Sequence, residues 1–311
     1  MADTYILGID CGGTKVMAQS VTYNSRTGLV SPGEFQLEVN YSDSPKWNSK
    51  FIQVHLDLQR QEFSVGNIYL TQPEMDQGNV IVEAIRDIIS KSESDSIGLC
   101  FPGIKNDRGV VIMANGPRIP DFLDRIQGID SILNDSDCCV LGEWKSTIGK
   151  LQNCDNALYI GGGTGIADGI ILMGKMIDFN SRDDVKRSWE LKMPSGETIE
   201  SCLSPKGMIE QWNLSQREKV KTLDQLSKNK NADTIFEKAA EAFLFLIQNR
   251  ARFFKANHAK IEKIVIGQRL GIFMADSKLI SLLESNTDIP LDYSTDRRTA
   301  ALGAAWKRIC S

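Results

Sequence analysis

The chain alternates between short apolar runs and longer stretches whose apolar positions recur at helical spacing. Residues 5–9 and 16–22 are apolar runs on either side of Cys11-Gly12-Gly13-Thr14-Lys15, which predicts a β-hairpin with a glycine-rich turn. A dinucleotide-binding fingerprint would need a helix after those glycines, and the strand-like run at 16–22 excludes it. The stretch 34–70 alternates apolar and polar residues in FQLEV, FIQVHL and FSVGNIYL, predicting further antiparallel strands. Residues 79–90 are spaced as an amphipathic helix, and 97–101 (IGLCF) as a short buried strand. A second strand–turn–strand follows at 157–173, where ALYI leads through GGGTGIADG into IILM. Residues 232–256 predict a long helix with a broad apolar stripe, 263–267 (KIVIG) a strand, and the last 15 residues a small-residue-rich closing helix.

Two rounds of strands followed by helices, each opened by a glycine hairpin, predict an α/β protein of two lobes. The expected division is 1–118, completed by 296–311, and 119–295. A length of 311 residues agrees, because it exceeds what one core usually serves.

Composition narrows the function classes. Charged residues make up 24% and the net charge is -4, which offers no electrostatic reason for a nucleic-acid or anionic-membrane partner and points to a small molecule. No apolar run approaches the roughly 20 residues of a membrane helix, and the N-terminus lacks the basic and apolar regions of a signal peptide. The seven cysteines are scattered, as suits reduced thiols in the cytoplasm, the expected location. With two histidines and no C-x-x-C, a zinc site is not expected.

The glycine turns carry the candidate chemistry. Binding a phosphate away from a helix N-terminus needs backbone N–H groups turned inward and close approach of an oxygen, which glycine allows. Gly12, Gly13 and Thr14, and again Gly163, Thr164 and Gly165, satisfy that requirement. Asp10 at the end of the first strand is the candidate Mg²⁺ ligand, and Lys15 is placed to offset phosphate charge. Either turn alone could be an ordinary tight hairpin; two in one chain make the phosphate reading stronger.

On these residues the chain resembles the ROK family of sugar kinases, which share the actin-like ATPase (ribonuclease H-like) fold. GIDCGGTK at 8–15 resembles the family's first phosphate loop. GGTGIADGI at 162–170 resembles the second, with Ala167 and Asp168 in place of glycines. The segment 97–120 is similar to the family's strand, Pro-Gly turn and Asn-before-Pro, 265–271 (VIGQRLG) to its adenosine-side loop, and 301–305 to its closing helix. The resemblance implies an ATP- and Mg²⁺-dependent kinase acting on a hydroxyl of a hexose or N-acylhexosamine, with Gly267 on the nucleotide side. It also carries over a homodimer.

In the family an Asp within an Asn-Asp-x-Asn segment takes the hydroxyl proton. Set against 140–150, that places the role on Glu143, with Gly142 and Lys145 replacing the asparagines; a solvated loop acid is the other reading of Glu143. Asn115, followed by Gly116, matches the sugar-contacting Asn, an amide suited to a hydroxyl pair, and is equally a good turn former. The family's Glu-Ile-Gly-His element falls on Trp189 to Lys192, making Glu190 a candidate sugar ligand or else a surface acid. Trp144 and Trp189 are candidate ring-packing faces or ordinary packing residues. Asp168 is expected to point to solvent, because an acid in a phosphate loop repels the ligand. These departures leave two alternatives open. One is a sensor of sugar or nucleotide that has lost catalysis; the other is a kinase whose base lies elsewhere, at Asp121 or Asp155.

Overall fold

The computed structural model describes residues 6–274 and 277–310, with Asn180 described by its backbone only. Residue 5 of the first expected strand and residue 311 of the closing helix lie outside them. In chain order the first part contains β1 (Ile6–Cys11), β2 (Lys15–Asn24), β3 (Leu29–Asn40), α1 (Leu56–Ser64), α2 (Gln72–Ser92) and β4 (Ser96–Phe101). It continues through β5 (Ile104–Lys105), β6 (Val110–Ile112), α3 (Phe122–Arg125), β7 (Leu133–Asn134) and α4 (Asp135–Lys145). Next come β8 (Ala157–Gly162), β9 (Ile166–Leu172), β10 (Lys175–Met176), α5 (Ile199–Leu203), α6 (Pro205–Ser215), α7 (Leu223–Ser227) and α8 (Asp233–Ala256). The chain closes with β11 (Lys263–Gly267), α9 (Gln268–Met274), α10 (Lys278–Glu284), β12 (Leu291–Tyr293) and α11 (Thr299–Cys310).

Two compact units result, Met1–Gly149 with Arg298–Ser311, and Lys150–Arg297. The first holds a sheet in the order β3-β2-β1-β4-β7, the second one in the order β10-β9-β8-β11-β12. Directions repeat as well as order: in each sheet the first three strands are antiparallel and the last two add in parallel. This doubled α/β architecture is the expected class, and both glycine hairpins form as expected, β1–β2 and β8–β9.

In the first unit the central strands β1 and β4 are apolar almost throughout, as a sheet covered on its faces requires. One face is covered by α11, whose small residues let it lie directly on the strands. A Cβ on Gly8 would stand 1.8 Å from the Ala301 carbonyl oxygen, and one on Gly98 2.1 Å from that of Ala304. Helix α2 begins at an N-cap, Thr71, whose hydroxyl accepts from the Glu74 amide at 3.3 Å, and it buries Ile81, Ile85 and Ile88 at helical spacing. In the second unit α8 sends Phe236, Phe243, Leu246 and Phe254 into the core formed with β8, β9 and β11.

Three sequence expectations are corrected. The division between units falls at 149/150, not 118/119, because β7 pairs with β4 in the first sheet and α4 packs on α11. That packing is close: a Cβ on Gly303 would stand 1.9 Å from the Cys138 carbonyl oxygen. The expected strand at FQLEV lies within β3, but FIQVHL and FSVGNIYL form no strands, and α1 occupies 56–64 instead. There a buried Gln59 supplies to Met113 the hydrogen bonds that strand pairing would have supplied. Glu143, whose alternative reading is a solvated loop acid, lies in the helix α4, where Cys138 to Glu143 are all buried.

Candidate active site

The carboxyl ends of three neighbouring parallel strands gather the charge in the first unit. Asp10 is the penultimate residue of β1 and lies level with Cys100 on β4. Cys100 and Phe101 in turn lie level with Leu133 and Asn134 of β7, so Asp135, the first residue of α4, emerges beside them. In open α/β sheets this is where ligands are taken up. Asp10 and Asp135 keep a little solvent contact yet have protein on nearly every side. Burial, then the nearby Asp135 carboxylate, pushes Asp10 up to about 7, against a hydrogen bond from Cys100 Sγ (3.6 Å) that lowers it. Burial also raises Asp135, and the Lys105 ammonium draws it back.

Lys105 is fixed by three acceptors, the Phe101 and Gly103 carbonyls at 2.8 Å each and Asn134 Oδ1 at 3.2 Å. It ties the Pro102-Gly103 turn to the start of α4 and sets a positive charge among the carboxylates. Two neighbouring acids form a donor set suited to a hydrated divalent cation, which Mg²⁺ is.

The β1–β2 turn closes on itself: the Gly12 amide donates to the Lys15 carbonyl at 2.9 Å. The amides of Gly13 and Thr14 make no hydrogen bond among the described residues and are the ones open to a phosphate. Lys15 is ion-paired with Glu38 on β3 at 3.3 Å, so part of its charge is already offset. Gly13 also touches the loop bearing Asn115, where a Cβ would sit 1.7 Å from the Asn115 carbonyl oxygen. Asn115 has an exposed side chain, and Gly116 behind it is buried. Asp10, the phosphate turn and Asn115 thus meet in one unit.

Glu143 does not join them. It is fully buried, two helical turns beyond Asp135, which at about 1.5 Å per residue places it roughly 12 Å along α4. Its own carbonyl packs against Gly149, where a Cβ would be 2.2 Å away. Burial overturns the reading of Glu143 as a solvated loop acid. An Asn-Asp pair like the one sought at 140–150 stands eight positions earlier than Glu143, at Asn134-Asp135. The signal was present: Asn-Asp directly after the apolar pair Ile132-Leu133. Trp144 lies beneath Lys145, whose Nζ is 3.3 Å from its ring centroid. Asp121 pairs with Arg125 at 3.7 Å, and Asp155 is exposed.

In the second unit the β8–β9 turn repeats the first. The Gly163 amide donates to the Gly165 carbonyl at 3.1 Å, and those of Thr164 and Gly165 make no hydrogen bond among the described residues. Glu200, at the start of α5, braces the turn: its Oε2 accepts from the Ile166 amide at 3.1 Å and stands 2.5 Å from where a Gly165 Cβ would be. Gly267 lies level with Gly161 on the neighbouring strand. Beyond it Gln268, in the left-handed region at φ 58°, brings its amide oxygen over Gly163.

Asp168 does not point to solvent. It is buried, its Oδ2 accepts from the fully buried Arg250 Nε at 2.6 Å, and its Oδ1 accepts from the Ser188 amide at 2.9 Å. Arg250 Nη2 also donates to the Lys186 carbonyl at 2.7 Å. The acid is neutralised internally, so it presents no bare charge to a phosphate. Glu190 is exposed and accepts from the Arg187 amide at 2.8 Å, and Trp189 is exposed beside it. Among the described residues no three His, Cys, Asp or Glu side chains group as a metal site, and no helix is long and apolar enough to cross a membrane.

No protein-family model matches the sequence, and no curated protein matches it significantly. Solved structures do match. A ROK hexokinase from Thermus thermophilus is 18% identical, with 97% of each chain covered and a TM-score of 0.63. A ROK family glucokinase from Streptomyces griseus, solved with glucose and AMPPNP, is 14% identical, with 97% of this chain and 98% of that chain covered and a TM-score of 0.60. The fold is that of the ROK sugar kinases. A ROK family transcriptional regulator, a homologue of the E. coli MLC protein, shares it at 15% identity and a TM-score of 0.60, with 99% of this chain and 78% of that chain covered. The fold is thus shared by kinases and by a transcriptional regulator, and does not by itself assign an activity.

Proposed function

We propose that the chain is an ATP-dependent kinase for a hydroxyl of a hexose or N-acylhexosamine, with Asp135 as the base. The observation that carries this is the placement of Asp10 at the end of β1 and Asp135 just beyond β7, on either side of β4 and close enough for the Asp135 carboxylate to raise Asp10. Asp10 would hold Mg²⁺, which when bound supplies charge neutralisation at the phosphates. The amides of Gly13, Thr14, Thr164 and Gly165 would hold phosphate oxygens, with Gly12 and Gly163 shaping the turns, Lys15 adding charge and Gly267 on the nucleotide side. Asn115 and Gly116 would orient the sugar, and Glu190 is a further candidate ligand. The Asp135 carboxylate takes the hydroxyl proton as the sugar oxygen bonds to the γ-phosphorus and ADP departs. The Lys105 charge opposes the rise that burial imposes on Asp135 and so favours its ionised form. A small-molecule sugar partner, a homodimer and a cytoplasmic location belong to the same proposal.

A coupled ADP-release assay over a sugar panel tests it. Sugar-dependent release is expected, and Asp135→Asn is expected to lower kcat by roughly 10²- to 10⁴-fold, while Glu143→Asp leaves sugar KM unchanged. Full turnover by Asp135→Asn would refute the assignment. A second reading, a sensor without turnover, is supported by the ROK family transcriptional regulator that shares the fold. Calorimetric sugar binding with no ADP release for any sugar would establish it.

A further inference from the structure

Residues 53–77 belong to neither the sheet nor the phosphate turn, yet they direct several side chains at one short loop. That loop is 113–118, which carries Asn115. Gln59 on α1 is 1% exposed and makes to Met113 both bonds a neighbouring strand would make. Its Oε1 accepts from the Met113 amide at 2.8 Å, and its Nε2 donates to the Met113 carbonyl at 3.1 Å and to that of Val54 at 2.8 Å. Gln53 Nε2 adds a second donor to the Met113 carbonyl at 3.2 Å.

Arg118 secures the other end and is also 1% exposed. Its amide and Nε donate to Glu74 Oε1 at 3.0 and 2.9 Å. Its Nη2 donates to Glu74 Oε2 and to the Tyr69 carbonyl at 2.9 Å each, and its Nη1 pairs with Glu62. Between these anchors Ala114 and Asn115 are exposed. A surface loop is ordinarily among the more mobile parts of a fold. Here buried polar groups, each costly to remove from water, converge on the two residues that frame its exposed tip.

We infer that Gln59 and the Arg118–Glu62–Glu74 cluster are positioning residues that hold Asn115 preformed for a pair of sugar hydroxyls. The inference rests on reading Asn115 as a sugar ligand. Fixing the loop before the sugar arrives removes an ordering cost from binding, so its loss is read mainly in the affinity for sugar. The backbone contact of Asn115 with Gly13 sets the same loop against the phosphate turn.

The test compares wild type with Gln59→Leu, which keeps the bulk and removes both bonds to Met113, and Gln53→Ala, an exposed position whose loss leaves the core intact. With the best sugar of the panel, Gln59→Leu is expected to raise sugar KM tenfold or more with kcat and ATP KM within threefold. Gln53→Ala should raise sugar KM two- to fivefold. Sugar KM within twofold of wild type in folded Gln59→Leu overturns the inference; if that variant does not fold, an unchanged sugar KM in Gln53→Ala does so. Amide hydrogen exchange at 113–116 separates this failure from failure of the kinase reading, since it needs no turnover. Exchange there is expected to quicken at least tenfold in Gln59→Leu, or at least twofold in Gln53→Ala, and unchanged exchange overturns the inference even if the wild type phosphorylates nothing.

Discussion

Replacing Asp10 by Asn isolates what the acidic cluster costs the fold. Asp10 rises from 3.8 to about 7 in the folded protein, chiefly through burial and then through Asp135. A carboxylate whose folded pKa is raised binds more protons folded than unfolded between those two values, so stability falls as pH rises through that window. At about 1.4 kcal/mol per pH unit the full cost, reached above pH 7, is on the order of 4 kcal/mol. At pH 5 the folded carboxyl is mostly protonated and roughly 2.5 kcal/mol of that cost is absent. Asn keeps the size of Asp and an oxygen for Cys100 Sγ, but never ionises. Asp10→Asn is therefore expected to be more stable than wild type at pH 8 by a few kcal/mol, with the difference shrinking by about 2.5 kcal/mol at pH 5. Urea unfolding in EDTA, followed by the fluorescence of Trp47, Trp144 and Trp306 with Trp189 and Trp212 replaced by Phe, reads this in the first unit. A difference that is the same at both pH values, or a variant less stable at pH 8, would refute the reasoning. The same variant should lose Mg²⁺-dependent nucleotide binding by calorimetry, trading stability for function at one residue.

The remaining expectations concern packing. Arg250→Met leaves Asp168 buried without its cation and should cost about 3–5 kcal/mol. In Asp168→Leu/Arg250→Met most of that should return, measured by urea unfolding, because two apolar side chains need no pairing. Gly13→Ala drives a methyl into the Asn115 carbonyl and should raise sugar KM and ATP KM together by tenfold or more, whereas Gly12→Ala, whose Cβ would meet its nearest atom at 3.3 Å, should do less. Steady-state kinetics with each substrate varied in turn distinguishes the two.

The hairpins were legible because their causes are local. Alternating apolar residues either side of glycines that permit the turn specify β1–β2 and β8–β9 from a dozen residues each, and α2, α8 and β11 follow from periodicity alone. Asp135, the proposed base, is equally local, an Asn-Asp pair after an apolar strand, but Glu143 eight residues later took that place in the family resemblance. The partner of Asp168 could not be read in this way. Arg250 lies 82 residues away in sequence, and no pattern near either residue announces the other. The same holds for α1: FIQVHL looks like a strand by its alternation, and only the arrival of Met113, 54 residues on, makes Gln59 more valuable inside a helix than outside it. Sequence by itself determined the repeated hairpins, the elements with strong periodicity and the turn chemistry that suits phosphate. The tertiary structure alone decided which carboxylates gather at the strand ends, which is buried against a cation, and which glutamine stands in for a strand, because desolvation and pairing are set by what long-range packing brings alongside.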